Sequence, residues 1–206
     1  MQLDSSHKAG QDCLMCSRYE LNSPRKEIAA RFDLEEEPDY SPQAALRPTD
    51  LAPVITSLGM ASMIAWGIPA PWDGKPLINA RGETLREKKT FQPLLEKRCL
   101  VPASAYFEWR NDGRRKHKNR ISPDEDLFAF AGLTDGTHFT IVTCAPAEQI
   151  AHIHGRMPVI LNRATERQWL DHSLPFDAVA PLLKPFEASI EADEEVIVEP
   201  QPDLFD

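Results

Sequence analysis

The chain has 206 residues, 42% of them hydrophobic and 27% charged, with a formal net charge of −9. That length suits one well-buried core, and no run approaches the ~20 consecutive apolar residues that a membrane span requires. The opening "MQLDSSHKAG" lacks the apolar centre of a secretory signal, so a cytoplasmic protein with its four cysteines reduced is expected.

Charge is distributed unevenly. Residues 81 to 120 carry 12 Lys and Arg against 5 Asp and Glu, whereas residues 176 to 206 carry 9 acids against the single base Lys184. A globally acidic chain can therefore present a basic face suited to phosphates beside an acidic tail. For "RRKHKNR" (residues 114 to 120) alone, a solvated hairpin explains the composition equally well.

Taken in chain order, the first feature is "CLMCSRYE", residues 13 to 20. Cys13 and Cys16 have Cys-x-x-Cys spacing, but a redox pair opens a helix after a strand, and the segment before Cys13 is polar and shapeless. A structural zinc site needs a second ligand pair, and no other Cys-x-x-Cys exists; His152 and His154 are the remote complement. Met15 offers a different chemistry. With initiation or cleavage there, Cys16 would carry a free α-amine beside its thiol. Such an amine is substantially unprotonated near neutral pH and attacks aldehydes, after which the thiol closes a five-membered thiazolidine ring.

Ser23 before Pro24 reads as an N-cap, predicting a helix from about Pro24 to Phe32 with Ile28 and Phe32 on one face. Residues 35 to 50, with three consecutive acids and prolines at 38, 42 and 48, read as a loop. Strands are expected at "APVITSL", "MASMIAW", "LINARGE", "LVPASAYFEW", "LFAFAGL", "HFTIVTC" and "RMPVIL". Helices are expected at "LREKKTFQPLLEKR", "RATERQWLDH" and "FDAVAPLLK". The order lacks regular strand and helix alternation. It predicts an α+β single domain, a largely antiparallel, barrel-like mixed sheet with a few flanking helices. The end "EEVIVEPQPDLFD" allows one short strand before a flexible acidic tail.

Three stretches carry polar groups where a sheet would orient them. In "LINARGE", alternation puts Asn79, Arg81 and Glu83 on one strand face, either a solvated Arg-Glu pair or a strip that holds phosphate and substrate. In "SAYFEW", Glu108 sits in an aromatic run, where desolvation would raise its pKa into the range useful for proton transfer. In "HIHGRMPVIL", His152, His154 and Arg156 share a face if the chain is extended there. Cys99 and Cys144 lie in apolar runs and read as small core residues.

In serial order, "MCSRYE", "RPTDLAPVI", "WGIPAPW", "INARGET", "RCLVPASAYFEW", "AGL", "TIVTCA" and "HIHGRMPVIL" resemble the SOS response-associated peptidase (SRAP) family, from about Met15 to Leu170. Members of that family crosslink to abasic sites in single-stranded DNA. The resemblance implies that Cys16 is the nucleophile, forming a thiazolidine with the ring-opened sugar. It further implies that Asn79 orients the reacting groups, that Glu108 assists proton transfer, and that His154 helps open the sugar ring and reverse the crosslink. Arg18, Arg81 and Arg156 would contact DNA phosphates, and Pro48 and Trp66 would form the apolar surface against which nucleotides pack. Peptidase and lyase-like activities come with the family, and neither a cofactor nor a metal does. When bound to DNA the protein would associate with the nucleoid.

The sequence departs from the family pattern at Ser17, where a glycine is usual, and at Ala45, where an asparagine is usual. The resemblance places the catalytic domain at residues 15 to 199, with 1 to 14 an extension that is absent or removed and 200 to 206 a flexible tail. The tail's "QPDLF" resembles peptides that dock on the bacterial sliding clamp, with Gln201, Leu204 and Phe205 as anchors. Two other readings stay open: a thiol hydrolase using Cys16 and His154, and a non-covalent single-strand binding module.

Overall fold

The computed structural model describes residues 17 to 195. Along the chain come β1 (Tyr19–Leu21), α1 (Arg25–Arg31), β2 (Gln43–Leu46), β3 (Leu51–Ser57), β4 (Met60–Trp66), β5 (Ile68–Pro69), β6 (Pro76–Leu77) and β7 (Asn79–Arg81). There follow β8 (Arg98–Ala103), β9 (Ala105–Asn111), β10 (Lys116–Pro123), β11 (Phe128–Thr134), β12 (His138–Cys144), β13 (Met157–Pro158) and β14 (Ile160–Leu161). The described chain ends with α2 (Arg163–Leu170), α3 (Phe176–Val179) and β15 (Ile190–Glu194).

One sheet has the order β15-β10-β9-β1-β2 and is antiparallel throughout. In the larger sheet, β12, β4, β3, β8 and β11 pair in succession and β11 pairs back onto β12, so the ladder closes on itself. Closure removes free edges. The α+β, barrel-like architecture expected from the element order is therefore present, with parallel pairing confined to β12 against β4 and β7. β8, β11 and β12 read as near-continuous apolar runs because they are buried almost along their whole length.

A single extended run crosses from one sheet to the other. β8 belongs to the closed sheet and β9 to the five-stranded one, with Ser104 at the corner. Ser104 N donates to Glu20 O (2.7 Å), its hydroxyl donates to Glu20 Oε1 (2.9 Å), and the hydroxyl oxygen accepts from Asn22 N (3.0 Å). Satisfying the corner's polar groups in this way holds the bend at one geometry. The two sheets meet over an aromatic cluster: Tyr19 lies edge-on to Trp66 (5.1 Å) and Phe130 (5.9 Å), and Tyr106 lies edge-on to Phe130 (6.0 Å). Each fully buried ring contributes about 1.5–3 kcal/mol by leaving water.

Several local expectations are corrected. The loop at 35 to 50 contains β2, and "KHKNRISP" forms β10, a strand whose charged residues hid its alternation. The helix expected over residues 85 to 98 is absent: residues 85 to 97 form turns with one 3₁₀ segment at Gln92–Leu94, and Arg98 opens β8. Pro93 cannot donate within those turns, and the buried anchor Leu85 is out of helical step with Phe91 and Leu94. At α1 the capping position is Pro24, with no side-chain cap, so Ser23 does not act as one. Asn162 caps α2 instead, accepting from the backbone of Ala164 and Thr165.

The end of α2 is held by a buried cation. Arg98 is completely enclosed and donates to the carbonyls of Trp169 (2.7 Å), Asp171 (2.6 Å) and Leu174 (2.8 Å), and to Glu96 Oε2 (2.7 Å). Its guanidinium thereby satisfies the carbonyls that a helix end leaves unpartnered.

Candidate functional site

β9 is an interior strand between β1 and β10, and its alternation turns Tyr106, Glu108 and Arg110 one way and Phe107 and Trp109 the other. Glu108 is only 3% exposed. Its Oε1 lies 3.8 Å from Nδ1 of His154, which comes from the loop before β13 in the closed sheet. The imidazole is itself oriented by backbone: Nδ1 is 3.2 Å from Arg156 O and 3.3 Å from Arg156 N. A buried carboxylate facing a backbone-held imidazole can pass protons to a reactant brought beside the pair.

His152 does not join this pair. The chain at 151 to 153 turns instead of extending, and His152 is exposed, so the expected shared face of His152, His154 and Arg156 is not formed. The expected strip at "LINARGE" is also shorter than predicted: β7 stops at Arg81, and Glu83 falls in a 3₁₀ turn, Gly82–Thr84. β7 runs parallel to β12, with Asn79 beside Ile141 and Arg81 beside Thr143. Thr143 is the meeting point of this edge. Its carbonyl accepts from Arg156 Nη2 (2.9 Å), so Arg81 and Arg156 converge on one residue.

Arg156 also forms a two-pronged pair with Glu83, with Nη2 to Oε2 at 2.8 Å. That guanidinium holds the Glu83 carboxyl below the usual carboxylate range, helped by Arg81. Arg18 is half-buried with its guanidinium 5.6 Å from the centre of the Trp109 ring, on a side chain that alternates away from Glu108. Its carbonyl accepts from Phe107 N (3.0 Å), and β1 pairs with β9 through Tyr19 and Tyr106. The start of the described chain is therefore laid alongside the strand that carries Glu108. Asn79 is half-buried and Arg81 exposed.

The expected apolar surface is in part corrected. Trp66 is 1% exposed, packed on Tyr19 and stacked with Phe139, and its indole N–H donates to Ile78 O (2.9 Å). It is a core residue and offers no face to a nucleotide. Gly67 follows it at φ +116°, where a Cβ would come within 2.4 Å of Pro76 Cβ, so the chain can turn there only with glycine. Pro48 is half-buried in a turn with Thr49. The aromatic that is available is Trp72, 69% exposed at the tip of the β5–β6 turn that leads into Asn79. Sequence reading passed over it, although its position in "APWDGK", amid Pro, Asp and Gly, marks a turn and hence a surface ring.

Cys16, Gln201, Leu204 and Phe205 lie outside the described residues. Of the described cysteines, Cys99 has its thiol pushed far up by burial and Cys144 is pushed up to about 12. Neither supplies a thiolate at neutral pH. Among the described residues no group of three His, Cys, Asp or Glu could hold a metal ion, and no helix is long and apolar enough to cross a membrane.

These features define a mixed α+β protein with a buried carboxylate and an imidazole side by side, an arginine-bearing sheet edge, and no ionisable thiol in the described core. The family model described as SOS response associated peptidase (SRAP) matches residues 15–197, and the chain belongs to that family. It is similar to the abasic site processing proteins YoqW of Bacillus subtilis (35% identical over 198 residues, 84% of this chain and 88% of YoqW) and YoaM of the same organism (36% over 199 residues, 84% and 87%). A crystal structure of a Bacteroides thetaiotaomicron protein superimposes with a TM-score of 0.77 at 28% identity, over 88% of this chain and 93% of that one.

Proposed function

We propose that this protein processes abasic sites in single-stranded DNA by capturing the sugar aldehyde on Cys16. The observation that carries the reading is the pairing of buried Glu108 with His154 beside a β1 strand whose chain leads, three residues earlier, into Cys16. The described thiols are too deeply buried to serve, which leaves the nucleophile to the segment ahead of Ser17.

In the proposed chemistry His154 assists opening of the sugar ring to its aldehyde. The free amine of Cys16 adds to the aldehyde carbon and water leaves, giving an imine. The sulfur then adds to the same carbon while its proton passes to nitrogen, closing the thiazolidine with net loss of one water. Glu108 and His154 carry the protons and Asn79 orients the reactants. Arg18, Arg81 and Arg156 hold flanking phosphates, and Trp72 and Pro48 supply the apolar contact, a combination that binds single strands without reading sequence.

The scheme requires the nitrogen of Cys16 to be unblocked, so residues 1 to 15 are absent or cleaved from the working molecule. Self-cleavage by the Cys16 thiol is one route, in keeping with the peptidase in the family's description. Protein beginning at Cys16, mixed with an oligonucleotide containing one abasic site, is expected to gain one DNA mass less one water by intact mass spectrometry. Cys16→Ala is expected to gain nothing; equal adducts from both proteins would end the proposal. A further part of the proposal is that "QPDLF" docks on the sliding clamp. Equal retention on immobilised clamp of wild type and the Leu204→Ala, Phe205→Ala double variant would rule that part out.

A further inference from the structure

β15 is an edge strand with an unusual composition and almost no share in the core. Of Ile190–Glu194 only Ile190 is buried, and the strand's one neighbour in the sheet is β10. Its acids nevertheless meet cations in turn. Glu194 takes Arg110 with two hydrogen bonds (Nε and Nη2, both 2.9 Å) and lies 3.2 Å from His117 Nδ1, while Glu195 lies 3.1 Å from Lys118 Nζ. Asp193 stands opposite Arg120.

Register decides which of these pairs matters. Glu108 is opposite Asn119, and Asn119 is opposite Glu194, so the three side chains project from one face of the sheet. Arg110 is two residues beyond Glu108 on that face, about 7 Å along the strand. Lys118 sits over the Phe107 ring (4.8 Å), and Arg120 holds Glu20, both on the opposite face. A carboxylate from the acidic strand therefore occupies a guanidinium on the same strand face as Glu108, in the two-pronged geometry that a phosphate would also adopt.

We infer that β15 is a displaceable strap: Glu194 masks Arg110, and single-stranded DNA takes the arginine by exchanging a phosphate for the carboxylate. Exposed ion pairs contribute at most ~1 kcal/mol each, and an edge strand with one buried side chain belongs to the parts of a fold that open locally. A polyanion that releases counterions on binding can compete with such a contact. The strap would favour substrates that offer a run of phosphates over isolated aldehydes. This inference rests on the proposed function, since it presumes that DNA approaches this face.

The test is binding of a fluorescein-labelled oligothymidylate without any lesion, followed by anisotropy across a salt series. Wild type that fails to bind at any salt would sink the proposed function itself. Given wild-type binding, Glu194→Gln is expected to bind several-fold more tightly at low salt, with the slope of log K against log salt steeper by about 0.7. Arg110→Gln is expected to bind more weakly, and the double variant is expected to match Arg110→Gln. Asp193→Asn, which makes the same charge change on the other face, is expected to gain little. An unchanged affinity for Glu194→Gln, or an equal gain in the Arg110→Gln background or from Asp193→Asn, overturns the strap. Hydrogen exchange gives an independent reading: amides of residues 191 to 194 are expected to exchange faster when DNA is added, and unaltered or slower exchange overturns it as well.

Discussion

Nδ1 of His154 lies 3.8 Å from Oε1 of Glu108, although Glu108 belongs to the five-stranded sheet and His154 to the loop that leads into β13 of the closed one. At that distance the two groups are close enough to exchange a proton through a reactant or a water held between them. Removing the carboxylate by Glu108→Gln, or the imidazole by His154→Ala, is expected to slow crosslinking about 100-fold, the usual range for losing a general acid or base. Single-turnover gel assays measure this. His154→Ala should in addition release the crosslink more slowly, and a variant with normal formation and normal reversal would remove His154 from the chemistry.

Blocking the α-amine separates capture of an aldehyde from thiol hydrolysis. Protein starting at Cys16 and acetylated at its nitrogen is expected to form no crosslink, since an amide nitrogen cannot give the imine. Peptide hydrolysis by the same acetylated protein, with no trapping by the free form, would favour the thiol hydrolase. Salt-sensitive binding with no adduct from either form would favour a non-covalent module.

Trp72→Ala should weaken binding of single-stranded DNA by about 10-fold, the loss of one stacked base at ~1–3 kcal/mol. Folding should be unaffected because the ring is 69% exposed. Trp66→Ala is the contrasting case: emptying a core position costs about 3–5 kcal/mol, and thermal melts should register it before any binding assay does.

The pair between Glu83 and Arg156 makes the sheet edge acid-sensitive. Glu83 is held below the usual carboxylate range in the folded protein, so its contribution is present above the unfolded carboxylate value and is lost as pH falls through the depressed one. Between about pH 5 and pH 3 the melting temperature of wild type should therefore fall more than that of Glu83→Gln. Parallel curves for the two proteins would show that the pair adds nothing to stability.

Arg98→Met is expected to destabilise the fold by about 3 kcal/mol or more, because the carbonyls of Trp169, Asp171 and Leu174, at and just beyond the end of α2, lose their donor. Chemical denaturation would show it, and activity per folded molecule should not change.

Much of the chain was legible as sequence. Apolar runs such as "LFAFAGL" and "HFTIVTC" announce buried strands because both faces are covered. β10 escaped because its alternation is written in charge and its partner acids lie far along the chain. Residues 85 to 98 mislead because good helix formers there serve a loop whose apolar residues reach the core at irregular intervals. At the site, Glu108 was noticeable as a carboxylate in an aromatic run, whereas burial of Trp66 depends on Tyr19, Phe139 and the Ile78 carbonyl, none of which its own neighbourhood reveals.

β1 is three residues long, yet it is gripped on both sides, by β9 and by β2. Whatever is joined to Ser17 consequently departs from a point that the sheet holds still. An affinity handle or fusion partner placed there would be anchored beside the strand that carries Glu108, so handles for this protein belong at the opposite terminus.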